Sequence, residues 1–346
     1  MALQATALVT SKWLARAVKV QGKMRVLDTS WYLPKLRRNA KSEFKKKHVP
    51  GAAFFDIDQC CDKTSPLDHM LPSEDYFAEY VGKLGIENDT HVVVYDGSEF
   101  GAFSAPRVWW MFRVFGHSAV SMLNGGLRNW ELEGRPVSDR YVRPTATEFK
   151  ASLNRSWIKT YEDILDNLET KEFQVVDARP TGRFKGLDPE PRDNTEPGHI
   201  PGSISIPFHS FLSPSGHFLP KEQLQALFAR AGVDLDRPLC VLCGSAVTAC
   251  HVAVAAHECG HPGCQCTTVG GRSGTPAPCP STSYQMAEGN ICDNRKDLGP
   301  MVLGWITCAV VAVVVWPFGI CMTSSCEVTA SSRLAKFPRM SKKLLY

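Results

Sequence analysis

Cysteine is nearly absent from the first two thirds of the chain. Only Cys60 and Cys61 precede residue 240, while the other eleven of thirteen cysteines lie at or beyond Cys240. The first 260 residues therefore read as a protein with free thiols from a reducing compartment. The N-terminus lacks a continuous apolar run ending in a small-residue cleavage site, so no secretory signal is expected. The sequons at Asn88 and Asn154 then carry no glycosylation meaning. Acidic residues are missing before Asp28. That basic segment fits either a mitochondrial presequence or the first amphipathic helix of a domain. A net charge of +4 is too small to argue for nucleic acid, and the basic stretch 35–48 reads as a solvated helix face. What is present is ordinary globular usage, 44% hydrophobic and 21% charged. At roughly 150 residues per domain, 346 residues suggest two domains.

The chain repeats itself. Lys47-His48-Val49-Pro50-Gly51-Ala52 matches Gly198-His199-Ile200-Pro201-Gly202-Ser203. Downstream, the β-branched run 92–95 ends in Asp96-Gly97-Ser98, and the run 239–242 ends in Cys243-Gly244-Ser245. A helix-like segment follows each, 104–117 and 248–261, closing in Gly116-His117 and Gly260-His261. Three blocks in one order mean two copies of one domain. Strand-like segments (26–28, 175–177) alternate with amphipathic helices (76–84, 221–231), which argues for an α/β fold with a mainly parallel sheet in each copy. The expected division is a first domain over 1–140, a linker over 141–157, a second domain over 158–262 and a divergent Cys-, Pro- and Gly-rich tail over 263–346.

The copies differ at their ends. After His117 the first continues with an apolar segment, 119–123, a turn at Asn124-Gly125-Gly126 and a helix holding Trp130. The second turns Pro-, Gly- and Cys-rich after His261, so a strand and the helix behind it are expected to be missing. Residues 298–326 contain no charge, and 301–322 are apolar and long enough to span a bilayer. An anchor there, with Arg333 to Lys343 on the cytoplasmic side, competes with a tail that has no structural role. His257, Cys259, His261, Cys264 and Cys266 crowd together, but their spacing fits no standard zinc finger. No metal site is expected.

The chemistry points to Cys243. It follows a buried strand and precedes a helix starting near Val247, and loops at the carboxyl ends of parallel strands are the usual ligand sites. The helix macrodipole and loop N–H groups favour negative charge there, hence a thiolate and later a persulfide anion. Gly244 and Ser245 are small enough for the backbone to curl around the sulfur. Cys240 and Cys250 read as small buried hydrophobes.

Cys243-Gly244-Ser245-Ala246-Val247-Thr248 resembles the active loop of the 3-mercaptopyruvate sulfurtransferases, within the rhodanese superfamily. The resemblance runs from about Trp13 to His261. It includes Ser30-Trp31-Tyr32-Leu33-Pro34, Pro50-Gly51-Ala52-Ala53-Phe54-Phe55-Asp56 and Pro106-Arg107-Val108-Trp109-Trp110-Met111-Phe112. It implies two tandem rhodanese-like domains with one active site, because Asp96 stands where the second copy has Cys243 and a carboxylate cannot carry sulfane sulfur. It implies Arg183 and Arg192 as carboxylate-binding forks for the substrate. It implies Gly244, Ala246, Val247 and Thr248 as further substrate-binding positions, and Asp58, His69 and Ser245 as a proton relay for the departing pyruvate enolate. The family usually has Gly at the position of Ala246, where a positive φ would make a Cβ costly.

The implied reaction is sulfur transfer from 3-mercaptopyruvate through a Cys243 persulfide to a thiol acceptor such as thioredoxin or a small thiol, releasing pyruvate and permitting hydrogen sulfide formation, without a cofactor. The alternatives are a thiosulfate sulfurtransferase passing sulfur to cyanide, for which the basic residues expected after the cysteine are absent, and an impaired isoform acting as a binding or regulatory protein. A mitochondrial or cytoplasmic location is expected.

Overall fold

The computed structural model describes residues 5–20, 22–191, 197–263 and 265–267, the last three for their backbone. These residues lie in one compact unit, Met1–Met286. The first copy runs β1 (Leu8–Val9), α1 (Ser11–Ala17), β2 (Met24–Asp28), α2 (Ala40–Lys46), β3 (Ala53–Phe54), α3 (Glu74–Gly82), β4 (His91–Tyr95), α4 (Ala105–Val114), β5 (Val120–Leu123) and α5 (Gly126–Leu132). The second runs β6 (Ile158–Lys159), α6 (Tyr161–Thr170), β7 (Gln174–Asp177), α7 (Thr181–Phe184), β8 (Ile204–Ser205), α8 (Lys221–Ala231), β9 (Leu239–Leu242), α9 (Ala249–Glu258) and β10 (Gln265–Thr267).

Both sheets are parallel and have the same order, β1-β5-β4-β2-β3 and β6-β10-β9-β7-β8. The repeat seen in the sequence is therefore a repeat of topology. In each sheet the middle strand, β4 or β9, is wholly or almost wholly buried. That burial explains why these strands read as near-continuous apolar runs. The strand β10 corrects one expectation. The second sheet does not end at residue 262, because Gln265 and Cys266 pair with Cys240 and Val241 of β9, and Cys266 and Thr267 pair with Ile158 and Lys159 of β6. The helix expected to be missing behind it, the apolar segment 301–322 and the rest of the tail lie outside the described residues. Among the described residues, no helix is long and apolar enough to cross a membrane.

The basic N-terminal segment forms part of the first domain. Leu8 and Val9 pair with Met122 and Leu123 of β5, and Thr10 caps α1 by accepting from the Trp13 N–H at 3.1 Å. Leu14 is fully buried beneath α1. The linker is equally well tied. Thr147 N–H donates to the Gly82 carbonyl, Lys150 N–H to Asn88 and Asn154 N–H to the Val114 carbonyl. The two copies meet through α4 and α9, which share one apolar core. The largest side chains of α4, Trp109, Trp110 and Phe112, have almost no exposed surface. Buried His251 of α9 crosses the junction, its Nε2 3.1 Å from the Ala102 carbonyl of the first copy. Nearby, Gly101 and Gly216 pass so closely that a Cβ on either would strike the other's backbone.

Because β10 lies inside its sheet, the chain cut after residue 262 should be markedly less stable than the chain cut after 271. Urea unfolding of the two truncations tests this, since removing an interior strand exposes the backbone edges of β6 and β9. Equal midpoints would show that the three residues contribute nothing to the sheet.

Candidate active site

A cleft of about 510 Å³ opens between the two copies at the carboxyl end of the second sheet. From the second copy it is lined by Cys243, Gly244, Ser245, Val247, Thr248 and Arg183, and from the first by His69, Trp31 and Phe103 among others. A larger hollow, about 870 Å³, lies at the matching end of the first sheet beside Gly97 and Ser98, and none of its lining residues is a cysteine.

Cys243 is 2% exposed and stands directly after β9. The helix that follows starts at Ala249, two residues later than the sequence suggests, and its N-cap Thr248 makes no side-chain capping bond. Among the described residues, the backbone N–H groups of Ser245, Ala246, Val247 and Thr248 donate no hydrogen bond. The first copy shows what such a turn accommodates. There the Asp96 carboxylate accepts N–H bonds from Ser98 at 3.0 Å, Phe103 at 2.7 Å, Ser104 at 3.0 Å and Ala105 at 2.8 Å. Asp96 occupies the position of Cys243, so the repeat presents an anion held by the loop and the start of α4.

Ala246 adopts φ 56°, the left-handed region. Its side chain is buried and does not line the cleft. Its carbonyl accepts from the Cys250 thiol at 3.2 Å. Cys240 and Cys250 are both fully buried.

Arg183, on α7, donates from Nε to both oxygens of Glu190 at 3.1 Å and from Nη2 to Glu190 as well. Its Nη2 lies close enough to Gly244 that a Cβ there would sit 3.2 Å away. Arg192 lies outside the described residues. Arg179 was not singled out by the sequence. Its guanidinium is buried, grips Asp177 through Nε and Nη2 at 2.6–3.1 Å, and reaches Glu190 Oε1 at 2.9 Å and the Gly198 carbonyl at 2.6 Å. Burial works against its charge, but Asp177, Glu190 and the Cys243 sulfur outweigh it and hold the guanidinium above its ordinary value. The signal that would have found it is the repeat itself. Asp28-Thr29-Ser30 aligns with Asp177-Ala178-Arg179, and both Asp28 and Asp177 accept the N–H two residues on.

The structure brings His69 and Asp58 together. His69 Nε2 donates to Asp58 Oδ1 at 2.9 Å, and the Trp31 indole N–H donates to Asp58 Oδ2 at 3.0 Å. These bonds, that of His69 first, hold the Asp58 carboxyl below the usual carboxylate range. The Trp31 ring meets His69 edge-on, with centroids 4.8 Å apart. The other ring nitrogen, Nδ1, is buried and has no hydrogen-bond partner among the described residues. Ser245 lines the same cleft, but no hydrogen bond joins it to His69. The crowded His and Cys residues near 260 are used otherwise. His257 packs on Trp109, His261 Nε2 lies 3.2 Å from the Arg237 carbonyl, and Cys264 lies outside the described residues. Among the described residues no group of three or more potential ligands is placed to hold a metal.

A profile of the Rhodanese-like domain matches residues 11–133 and 160–271. Human 3-mercaptopyruvate sulfurtransferase is 57% identical over 259 residues, 74% of this chain and 87% of the human protein. Thiosulfate sulfurtransferase of Rattus norvegicus is 55% identical over 260 residues, again 74% and 87%. The crystal structure of the 3-mercaptopyruvate sulfotransferase SseA from Escherichia coli superposes with a TM-score of 0.71 at 35% identity, covering 78% of this chain and all of that one. The chain belongs to the rhodanese-like family, with two copies of its domain.

The strain at Ala246 is testable. Relief of its left-handed φ by Ala246→Gly, worth about 1 kcal/mol, is offset by loss of a buried methyl worth about 0.8 kcal/mol, so stability should hardly change. Ala246→Val adds a branched side chain in the same conformation and should cost about 2 kcal/mol or more. Urea midpoints that rank Val with Gly would contradict the backbone assignment.

Proposed function

We propose that the chain is a sulfurtransferase that takes sulfur from 3-mercaptopyruvate onto Cys243 and passes it to a thiol. The observation that carries this reading is the placement of Cys243 in a cleft with unpaired loop N–H groups and Arg183 at its edge. The thiolate attacks the donor's sulfur. The carbon–sulfur bond breaks, its electron pair leaves on the carbon as pyruvate enolate, and a proton converts the enolate to pyruvate. Cys243 keeps the sulfur as a persulfide, whose negative charge the loop N–H groups of Ser245 to Thr248 are free to hold. A thiolate acceptor, such as that of thioredoxin or a small thiol, then attacks the outer sulfur and restores Cys243. Attack by a second thiol on the acceptor persulfide releases hydrogen sulfide.

The residues divide the work. Arg183, with Arg192, binds the donor carboxylate, and Glu190 fixes the angle of the Arg183 fork. Arg179 adds a fixed positive charge beside the sulfur. His69, oriented by Asp58, delivers the enolate proton with Ser245 as the bridge. The first copy serves as a wall without a sulfur carrier of its own. The apolar faces of Trp31 and Phe103 exclude water from that side, and Phe208 of the second copy packs on Phe103.

Overall identity does not choose the donor, because relatives with both names match almost equally. The loop favours 3-mercaptopyruvate. Gly244 and Ser245 follow the cysteine where a donor dianion would call for cations. The reading of an impaired, purely binding chain loses part of its motive, since β10 fills the position beside β9. Sparse early cysteines support a mitochondrial or cytoplasmic site of action.

The purified chain should show a higher kcat/KM with 3-mercaptopyruvate than with thiosulfate, and the reverse preference would overturn the donor assignment. Arg183→Lys replaces a fork by a point charge and should lower kcat/KM by about 1–3 kcal/mol with little loss of stability. Gly244→Ala pushes on the same guanidinium and should raise KM in the same direction. If both variants keep wild-type kcat/KM, Arg183 serves only its ion pair with Glu190.

A further inference from the structure

Arg107 is out of place as a structural arginine. It lies in the first turn of α4 and is 1% exposed. Among the described residues no carboxylate pairs with it, and its Nε and Nη1 have no hydrogen-bond partner. The neighbouring Cys60 does not supply an anion, because burial pushes that thiol well up. A buried cation normally sits against a carboxylate, and one left unpaired is costly. Its polar contact is a single bond, from Nη2 to the backbone carbonyl of His69 at 2.6 Å. The Trp110 ring also lies near it, its centroid 5.0 Å from the guanidinium carbon.

The residue it holds is also unusual. His69 has φ 61°, the left-handed region that a side chain such as histidine rarely adopts, and is 5% exposed. That conformation turns the carbonyl inward to Arg107 and leaves the imidazole at the cleft wall, with Nε2 on Asp58. Arg107 and Asp58 thus grip the same residue from opposite ends, one by its backbone and one by its ring. We propose that Arg107 is a positioning residue for His69, holding its strained backbone so that the imidazole stays in the cleft for proton delivery. This inference rests on the relay role given to His69 above. It accounts for a cation buried without a counter-ion, since a lysine or neutral side chain would hold the carbonyl less rigidly.

The test is a double-mutant cycle in the full chain, with kcat and KM for 3-mercaptopyruvate and thermal midpoints for Arg107→Met, His69→Gln and the pair. Methionine fills the volume without the charge, and replacing an unpaired buried charge need not cost stability. Arg107→Met should lower kcat about tenfold or more while KM moves by less than about twofold and the midpoint holds. The double variant should be no slower than His69→Gln alone, because both substitutions disable one device. Arg107→Lys, which keeps a donor for the carbonyl, should recover part of kcat. Multiplying losses in the double variant, or wild-type kcat in Arg107→Met while His69→Gln is slow, would overturn the role of Arg107. Wild-type kcat in His69→Gln would instead overturn the relay on which the inference stands. If Arg107→Met does not fold, Arg107→Gln, too short to reach the carbonyl, takes its place in the same cycle.

Discussion

At the middle of each sheet a buried parallel strand must hand the chain to a helix within a few residues. The turn that does this leaves backbone N–H groups with no preceding carbonyl to bond them. Buried donors of this kind need an acceptor, and a small anion satisfies several at once. In the first copy the acceptor is permanent, the Asp96 carboxylate. In the second copy the equivalent residue is Cys243, a weak acceptor as a thiol and a strong one as a thiolate or persulfide. One constraint of the fold thus yields a closed site in one half and a chemically changeable one in the other.

The surrounding charges follow from that difference. Where the first copy has Ser30 two residues after its buried aspartate, the second has Arg179, clamped by Asp177 and Glu190 beneath the loop. Glu190 also holds Arg183, so two guanidinium groups share one carboxylate and both turn toward the cysteine side of the sheet. The packing of α4 on α9 brings the first copy's Trp31 and His69 to the opposite wall. The inert half therefore still contributes to the site. It supplies apolar surface and a histidine held by bonds that the second half does not make.

Much of this was legible in the sequence. The repeat, the parallel α/β class and the cysteine loop follow from buried apolar runs, three matching blocks in one order and a cysteine at a strand end. Residues 221–231 form the expected helix with the same bounds. β10 was missed because Gln265-Cys266-Thr267 is short, mixed in polarity and set after Pro262 and Gly263. What makes it a strand is the pair of open backbone edges on β9 and β6, which no local pattern displays. Arg179 was missed because its partners lie two and eleven residues away and its counterpart Ser30 is uncharged. Aligning the two copies residue by residue would have exposed that exchange. The approach of His69 to Asp58 was legible only through family resemblance, since neither residue belongs to a periodic pattern, and the left-handed φ at His69 has no local signature.

The central claim is that sulfur rests on Cys243. Intact-protein and peptide mass spectrometry, after brief exposure of the reduced chain to 3-mercaptopyruvate with no added thiol in solution, tests it directly. The account predicts a gain of one sulfur atom on the peptide carrying Cys243, matched by pyruvate release, removed by an added thiol and absent in Cys243→Ser. Pyruvate release with no added sulfur on that peptide, or the same gain in Cys243→Ser, would contradict it.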